Sequence, residues 1–453
     1  MSDSKSTQAM PDWHQRENQR RMLRWLLFLC LLLALIGYYY YVSALGNTGI
    51  INGVNFDSTN YVAFIRDDGN GHTDLYAIKT DGTGERRLTA SSDASTKGQP
   101  VWTIDGKSLL YAANLDDNRV TQVYILGDGQ PTRLTYGAGN KSFPIVSNDG
   151  KHAAFISQGA IKSVYLNGKD VYQLMPQPRS GNEAGSETAA VTGEPQGPFL
   201  SAGFSSDGSG LAGAQDFADE TNALTTDRSG ADMAVTCIPP GGGQTMVLDS
   251  GHEVSFSWET KGDRLACSFT ELHAPNKAAK EDHNAGYKDW LNLANSDKDT
   301  TLVSAIQIFT FGGKVPKVQN VFRGLGYSIE PKHISWSPDG GRMAFEGWRL
   351  RSEGERELRG IVVQKLDQDV SGEGVIIDAA HVDTLRCVVE AGSAGKPQNP
   401  KWSPDSQHLL FEMVRPDGKR DLWSINADGT NPINLTKGKG DNYDGAWAPT
   451  KKQ

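Results

Sequence analysis

The chain has 453 residues, of which 22% are charged and 38% apolar, and a net charge of −9. That length allows one large domain or two to three ordinary ones, with the composition of an ordinary soluble globule. The acidic balance argues against nucleic acid or anionic headgroups as the main partner.

Residues 1–24 are polar and read as a cytoplasmic tail. Basic side chains gather at its end, at Arg16, Arg20, Arg21 and Arg24, with Lys5 ahead of them. From Trp25 to Val42 no residue is charged. With Met22 and Leu23 this run approaches the roughly 20 residues that cross a bilayer. Leu26, Phe28 and Leu32 supply its apolar body. Trp25 at one edge and Tyr38, Tyr39, Tyr40 and Tyr41 at the other suit the membrane–water interface. No basic residue occurs from Val42 to Ile65, so the positive-inside rule keeps the N-terminus cytoplasmic. We therefore expect one N-terminal transmembrane helix at 25–42, single-pass in an inner (cytoplasmic) membrane, with the rest in the periplasm or outside. A cleavable signal peptide ending near Val42-Ser43-Ala44 is the rival, but the apolar run exceeds an h-region of about 7–15 residues. The tail carries five basic and three acidic side chains, so the remainder of the chain stands at −11.

After a Gly/Asn-rich linker at 43–60, the chain becomes repetitive. Tyr61-Val62-Ala63-Phe64 opens in the middle of a unit. Asp74-Leu75-Tyr76, Asp81-Gly82 and Arg87-Leu88-Thr89 follow. Further copies run from Gln99 to Thr135, Phe143 to Leu174, Phe199 to Leu248 (the most worn), Glu253 to about Phe322, Glu330 to Asp378, and Pro400 to Thr436. The last is the clearest: Trp402-Ser403-Pro404-Asp405, Leu409-Leu410-Phe411, Asp421-Leu422-Trp423 and Leu435-Thr436. Each unit spells four short strands divided by Asp-Gly turns, in which Asp bonds its own backbone and Gly takes positive φ. A lone four-stranded sheet cannot bury both faces, so the copies must stack. The strand missing from the first unit stands at the far end, as Asp444-Gly445-Ala446-Trp447-Ala448-Pro449. We expect an all-β fold, a β-propeller of about seven blades over residues 61–449, closed by the C-terminal strand and followed by a short tail at 450–453. The worn copy and the long insertions leave six or eight open.

The pattern Pro-x-Trp-Ser-Pro-Asp-Gly, apolar strand, Asp-(Ile/Leu)-Tyr/Trp, Asp-Gly, Leu-Thr resembles the TolB-like propeller repeat, a relative of the WD-repeat. The resemblance implies the fold. That family's namesake carries a separate α/β domain ahead of its propeller, and Val42 to Tyr61 leaves no room for one, so its envelope role does not carry over.

Three inserts interrupt the repeats: Met175–Pro198, Glu271–Thr301 and Ala379–Lys396. Long loops on a rigid scaffold often carry partner contacts, and Tyr287, Trp290 and Leu293 on the second are candidate partner-binding residues. Glu330, His333, Gln398 and Asp444 are candidate channel-lining residues on innermost strands, together with Gln99, Ser142 and Glu253. His152 and His408 read as ordinary strand starts. His273, Glu281, Asp282 and His283 have no spacing that fixes a metal site. Cys237, Cys267 and Cys387 are odd in number, and the sequence assigns no pairing among them. Motifs for a nucleophile elbow, a zinc protease, a redox Cys pair or a phosphate loop are missing. The expected role is a non-catalytic scaffold or accessory subunit of a membrane protein complex, without a cofactor. Its partners would be membrane or periplasmic proteins, and the lipid bilayer through the N-terminal helix. The alternatives are a channel-mouth enzyme, such as a polysaccharide lyase or hydrolase, and a small-ligand or cation sensor.

Overall fold

Each Ser-x-Asp turn of the sequence is a small hydrogen-bonded machine. At 403–408, Ser403 Oγ donates to Asp405 Oδ1, Gln407 N–H donates to the same oxygen at 2.9 Å, and His408 N–H donates to Ser403 Oγ at 2.9 Å. The same triangle recurs at Thr103/Asp105, Ser147/Asp149, Ser205/Asp207 and Ser337/Asp339. The residue after Asp must turn left-handed, which Gly106, Gly150, Gly208 and Gly340 do freely and Ser406 does with φ 61°. The closing Leu-Thr has an equally local cause. Thr436 Oγ1 donates to Asp421 Oδ1 and accepts from Leu422 N–H, which ties the outermost strand to the third. Thr89 with Asp74, and Thr135 with Gln122, repeat it.

The computed structural model describes Met22, Val54 and residues 57–89, 97–115, 120–175, 198–216, 233–251, 253–273, 301–313, 316–325, 329–352, 355–366, 375–377 and 386–450. The chain divides into two compact units, Met1–Ile51 and Asn52–Gln453. The anticipated anchor at 25–42, the arginines before it and the insert residues Tyr287, Trp290 and Leu293 lie outside the described residues. Among those described, no helix is long and apolar enough to cross a membrane.

The second unit is built from seven sheets. Blade 1 holds β1 (Tyr61–Asp67), β2 (Thr73–Lys79) and β3 (Arg86–Arg87). Blade 2 holds β4 (Lys97–Trp102), β5 (Leu109–Ala113), β6 (Gln122–Leu126) and β7 (Thr132–Arg133). Blade 3 holds β8 (Lys141–Val146), β9 (His152–Ser157), β10 (Ala160–Tyr165) and β11 (Tyr172–Met175). Blade 4 holds β12 (Phe199–Phe204), β13 (Leu211–Asp216), β14 (Met233–Ile238) and β15 (Met246–Gly251). Blade 5 holds β16 (Glu253–Trp258), β17 (Arg264–His273), β18 (Thr301–Thr310) and β19 (Lys317–Leu325). Blade 6 holds β20 (Ile329–Trp336), β21 (Arg342–Ser352) and β22 (Glu355–Lys365). From there β23 (Val375–Ile377) crosses to lie parallel to β19, and β24 (Cys387–Glu390) returns to finish blade 6. Blade 7 holds β25 (Lys396–Trp402), β26 (His408–Val414), β27 (Arg420–Asn426) and β28 (Ile433–Asn434). The last strand, β29 (Asp441–Trp447), pairs antiparallel with β1 and becomes the innermost strand of blade 1. The ring is therefore a seven-bladed propeller closed by its C-terminal strand.

Two boundaries differ from the sequence expectation. The sixth unit, read as ending at Asp378, ends at Glu390. The apolar run Cys387-Val388-Val389, read as part of an insert, is its fourth strand. The reason is the excursion of β23, which places Val375–Ile377 on the neighbouring blade.

The core lies between facing sheets. Ala344 and Ile361 of blade 6 pack with Trp402, Leu409 and Phe411 of blade 7, and Val62 and Phe64 of blade 1 pack with Leu410, Leu422 and Leu435. Burying each large side chain of this kind contributes roughly 1.5–3 kcal/mol. Indoles bolt the blades together. Trp102 Nε1–H donates to Ala446 O, Trp258 to Gly203 O, Trp402 to Ser335 O and Trp447 to Lys401 O, at 2.9–3.1 Å. Arg264 and Arg342 stack over the next blade's Trp336 and Trp402. Blades 3 and 4 carry Val146 and Phe204 at the equivalent register.

Alternating strand direction sorts the connections onto two faces. First-to-second and third-to-fourth turns share one face, and these are short except in blade 6, where the chain between β22 and β24 makes the excursion through β23. Second-to-third turns and the passages to the next blade share the other, so 176–197 and 274–300 join strand ends there. The ring's own beginning lies on the tight-turn face, where Val54 N–H donates to Gly127 O and Ser58 Oγ to Gly106 O.

Candidate functional site

The inner wall of the ring is made by the first strand of each blade. In five of these strands one residue sits in left-handed backbone: Asp444 (φ 54°), Gln99 (55°), Phe143 (49°), His333 (48°) and Asn399 (54°). Each marks a β-bulge, with register shifts inside β29, β4, β8, β20 and β25. Bulges re-aim a side chain, and non-glycine residues hold this conformation only when their surroundings enforce it.

The enforcement is a relay running from blade to blade. Glu346 Oε1, on β21, accepts Asn399 N–H of blade 7 at 2.8 Å. Glu412 Oε1, on β26, accepts Asp444 N–H of blade 1 at 2.9 Å. Asp444 Oδ2 accepts Gln99 N–H of blade 2 at 3.0 Å, and Gln99 Oε1 accepts Phe143 N–H of blade 3 at 2.6 Å. Glu346 also takes bonds from Trp348 Nε1–H at 2.9 Å and from His333 Nδ1 at 2.8 Å. Its side chain is 1% exposed, whereas that of His333 is 57% exposed.

The two buried glutamates titrate in opposite directions. Burial pushes Glu346 up, but the bonds from His333, Asn399 and Trp348 outweigh it, so its carboxyl falls below the ordinary glutamate range. Burial pushes Glu412 up as well. There the Asp444 amide pulls it down and the Asp444 carboxylate pushes it up again, and the net is a raised carboxyl. A raised acid contributes stability that is fully present below its unfolded pKa and is lost as pH rises through the folded one. We accordingly expect Glu412→Gln to gain on the wild type as pH rises from the ordinary glutamate value toward neutrality. Urea midpoints measured across that window check this. A lead for the wild type that widens with pH would contradict it.

The candidate channel residues divide. His333 is exposed on β20, Gln398 is half-buried on β25, and Asp444 is half-buried and engaged in the relay. Gln99 serves the relay, and Ser142 is half-buried beside Phe143. Glu330 does not face the channel. It is fully buried, accepts from Thr270 Oγ1 of blade 5 at 2.8 Å, and lies 3.6 Å from Lys332 Nζ. The shift in pairing between Lys332 and Ser335 turns it into the seam between blades. The side chain of Glu253 lies outside the described residues. Glu346 and Glu412 escaped the sequence reading although each interrupts an apolar run, Phe345-Glu346 and Phe411-Glu412. A carboxylate at such a place needs buried partners. Across the ring, Phe143 and Leu200 leave blades 3 and 4 apolar on the inner side. Cys237 and Cys267 are buried and Cys387 is half-buried. Burial pushes the Cys237 thiol up to about 12. Among the described residues no group of three or more His, Cys, Asp or Glu is placed to hold a metal ion.

No protein-family model and no curated protein matches this chain. Solved structures do. A prolyl endopeptidase aligns with a TM-score of 0.50 at 13% identity, over 85% of this chain and 49% of that one. This chain thus spans about half of that protein's length. TolB from Acinetobacter baumannii aligns at 0.46 and 14% identity, over 88% and 68% of the two chains. An oligogalacturonate lyase in complex with manganese aligns at 0.44 and 12%, over 84% and 86%. At these identities the likeness is one of fold, and a propeller hosts many unrelated functions.

Proposed function

We propose that the chain is a membrane-anchored, extracytoplasmic propeller that acts as a non-catalytic scaffold or accessory subunit of a membrane protein complex. One observation carries the reading. At the inner wall and on the strands directly behind it, the acids Asp444 of β29, Glu346 of β21 and Glu412 of β26 are turned onto backbone amides of the next blade. They are spent on holding the ring. The uncharged run 25–42, with arginines before it, supports the tether and the orientation. Mild-detergent extraction of the full chain, affinity capture and native electrophoresis test the proposal. One defined membrane complex is the expected result, and a monodisperse chain without partners from several detergents would sink it.

A second reading rests on His333. A buried carboxylate on one ring nitrogen of an exposed histidine is the pairing that orients a general base or a metal ligand. That favours a channel-mouth lyase or hydrolase, or a cation sensor. Metal analysis of the purified full chain and of His333→Ala separates the readings. A stoichiometric metal lost in the variant would favour the second.

A further inference from the structure

Exposed large apolar side chains are unevenly spread over the ring. Tyr165, Val171 and Tyr172 are 36%, 53% and 43% exposed, and all belong to one corner of blade 3. That corner lies on the tight-turn face. His152 pairs with Tyr165 at the ends of β9 and β10, their rings 4.2 Å apart, and Leu166 N–H donates to Lys151 O. Lys151 and Lys169 stand exposed in the same two turns, beside Asp149 and Asp170. Blade 3, from Lys141 to Met175, has four lysines against two aspartates and no glutamate, within a chain of net −9. The patch is thus aromatic and aliphatic, with its two exposed lysines matched by the two aspartates; Lys141 is buried and Lys162 half-buried, away from these turns.

Its place in the ring says what it meets. The turn at Gly168 abuts Arg133 and Leu134, the outer strand of blade 2. The ring's first described residue, Val54, is hydrogen-bonded on that same blade and that same face, at Gly127. Ahead of it lies the uncharged run 25–42.

We infer that this corner of blade 3 is a lipid-contacting rim: Tyr165, Val171 and Tyr172 enter the interfacial layer of the bilayer, and Lys151 and Lys169 meet lipid phosphates. Tyrosine suits that layer because its ring is apolar and its hydroxyl stays wet. With a tether and a rim the ring has two attachments, and its tight-turn face is held toward the lipid. The face that 176–197 and 274–300 join is left for protein partners. The inference rests on the anchored reading of the preceding subsection.

The test uses the full chain in two steps. Flotation with vesicles of mixed zwitterionic and anionic phospholipid at high salt reports the tether without help from the lysines, because salt screens them. Hydrogen exchange of residues 165–172 is then compared between detergent and nanodiscs of the same lipids. The expected result is flotation, with slower exchange over 165–172 in discs. Lys151→Glu with Lys169→Glu, or Val171→Ser with Tyr172→Ser, should reverse that slowing while flotation persists. These sites are exposed, so both variants should fold, which circular dichroism checks. Failure to float would overturn the tether and the rim together. Flotation with unchanged exchange at 165–172 would overturn the rim alone. Slowing in detergent that grows with protein concentration would assign the patch to a second copy, and would also overturn it.

Discussion

Ending the chain at Gly440 should abolish the cooperative fold of the ring. The missing strand, β29, pairs with β1 from Val62↔Trp447 to Asp67↔Asp441, and β1 is almost wholly buried. Its loss uncovers Val62, Phe64 and Ile65, each 0% exposed in the closed ring. It also removes contacts that reach three blades. Trp447 releases Lys401 O of blade 7, Ala446 O no longer receives the Trp102 indole of blade 2, and Asp444 no longer caps Gln99. Arg420 loses Asp441, and Arg66 loses Asn442. A native domain holds only about 5–15 kcal/mol in total, and removing a strand packed on both sides is a loss of that order. Near-ultraviolet circular dichroism should fall to a featureless trace, with no thermal transition. A synthetic peptide covering 441–450 should restore part of the signal. A truncated chain that melted at the wild-type temperature would show that closure is not what holds the ring.

The second large effect is expected at Glu346. Alanine there strips the acceptor from Trp348 Nε1–H, from Asn399 N–H and from His333, in a site where the carboxylate is 1% exposed. Buried donors left without a partner cost about 1–3 kcal/mol each, so a loss of about 3 kcal/mol or more is expected from urea denaturation. The pH profile separates this from a simple packing defect. Because Glu346 is held below its ordinary value, its contribution is present above the unfolded pKa and disappears as pH falls through the lower folded one. The gap between wild type and Glu346→Gln should therefore be full at neutrality and close in acid. Glu412→Gln, with the raised acid, should show the opposite slope. Parallel profiles for the two variants would overturn the relay as described.

The turns, the strand count and the split first blade were legible in the sequence because each has a cause within a few residues. Asp405 needs only Ser403 and Gln407, and Thr436 needs only Asp421 and Leu422. Where the cause lies on another blade, the sequence is silent. The fourth strand of blade 6 was misplaced because the chain first visits blade 5 at Val375–Ile377, a pairing that depends on Phe322 to Gly324. Glu330 was taken for a channel residue because alternation along a strand assigns sides only while no bulge intervenes. Glu346 and Glu412 could have been found, since a carboxylate behind a phenylalanine in an apolar run is rare without partners. What each carboxylate holds is an amide more than 30 positions away, beyond any local pattern.

The pairing of β29 with β1 also sets a timetable for synthesis. The first sheet emerges from the ribosome with its inner edge bare, and the segment that covers it is made last. At about 5–20 residues per second, the wait is on the order of half a minute, against microseconds for a hairpin to form. Through that interval Val62 and Phe64 sit beside an open strand edge, which invites pairing with other chains. A cell making this protein must shield its opening segment from aggregation until the closing strand has been translated.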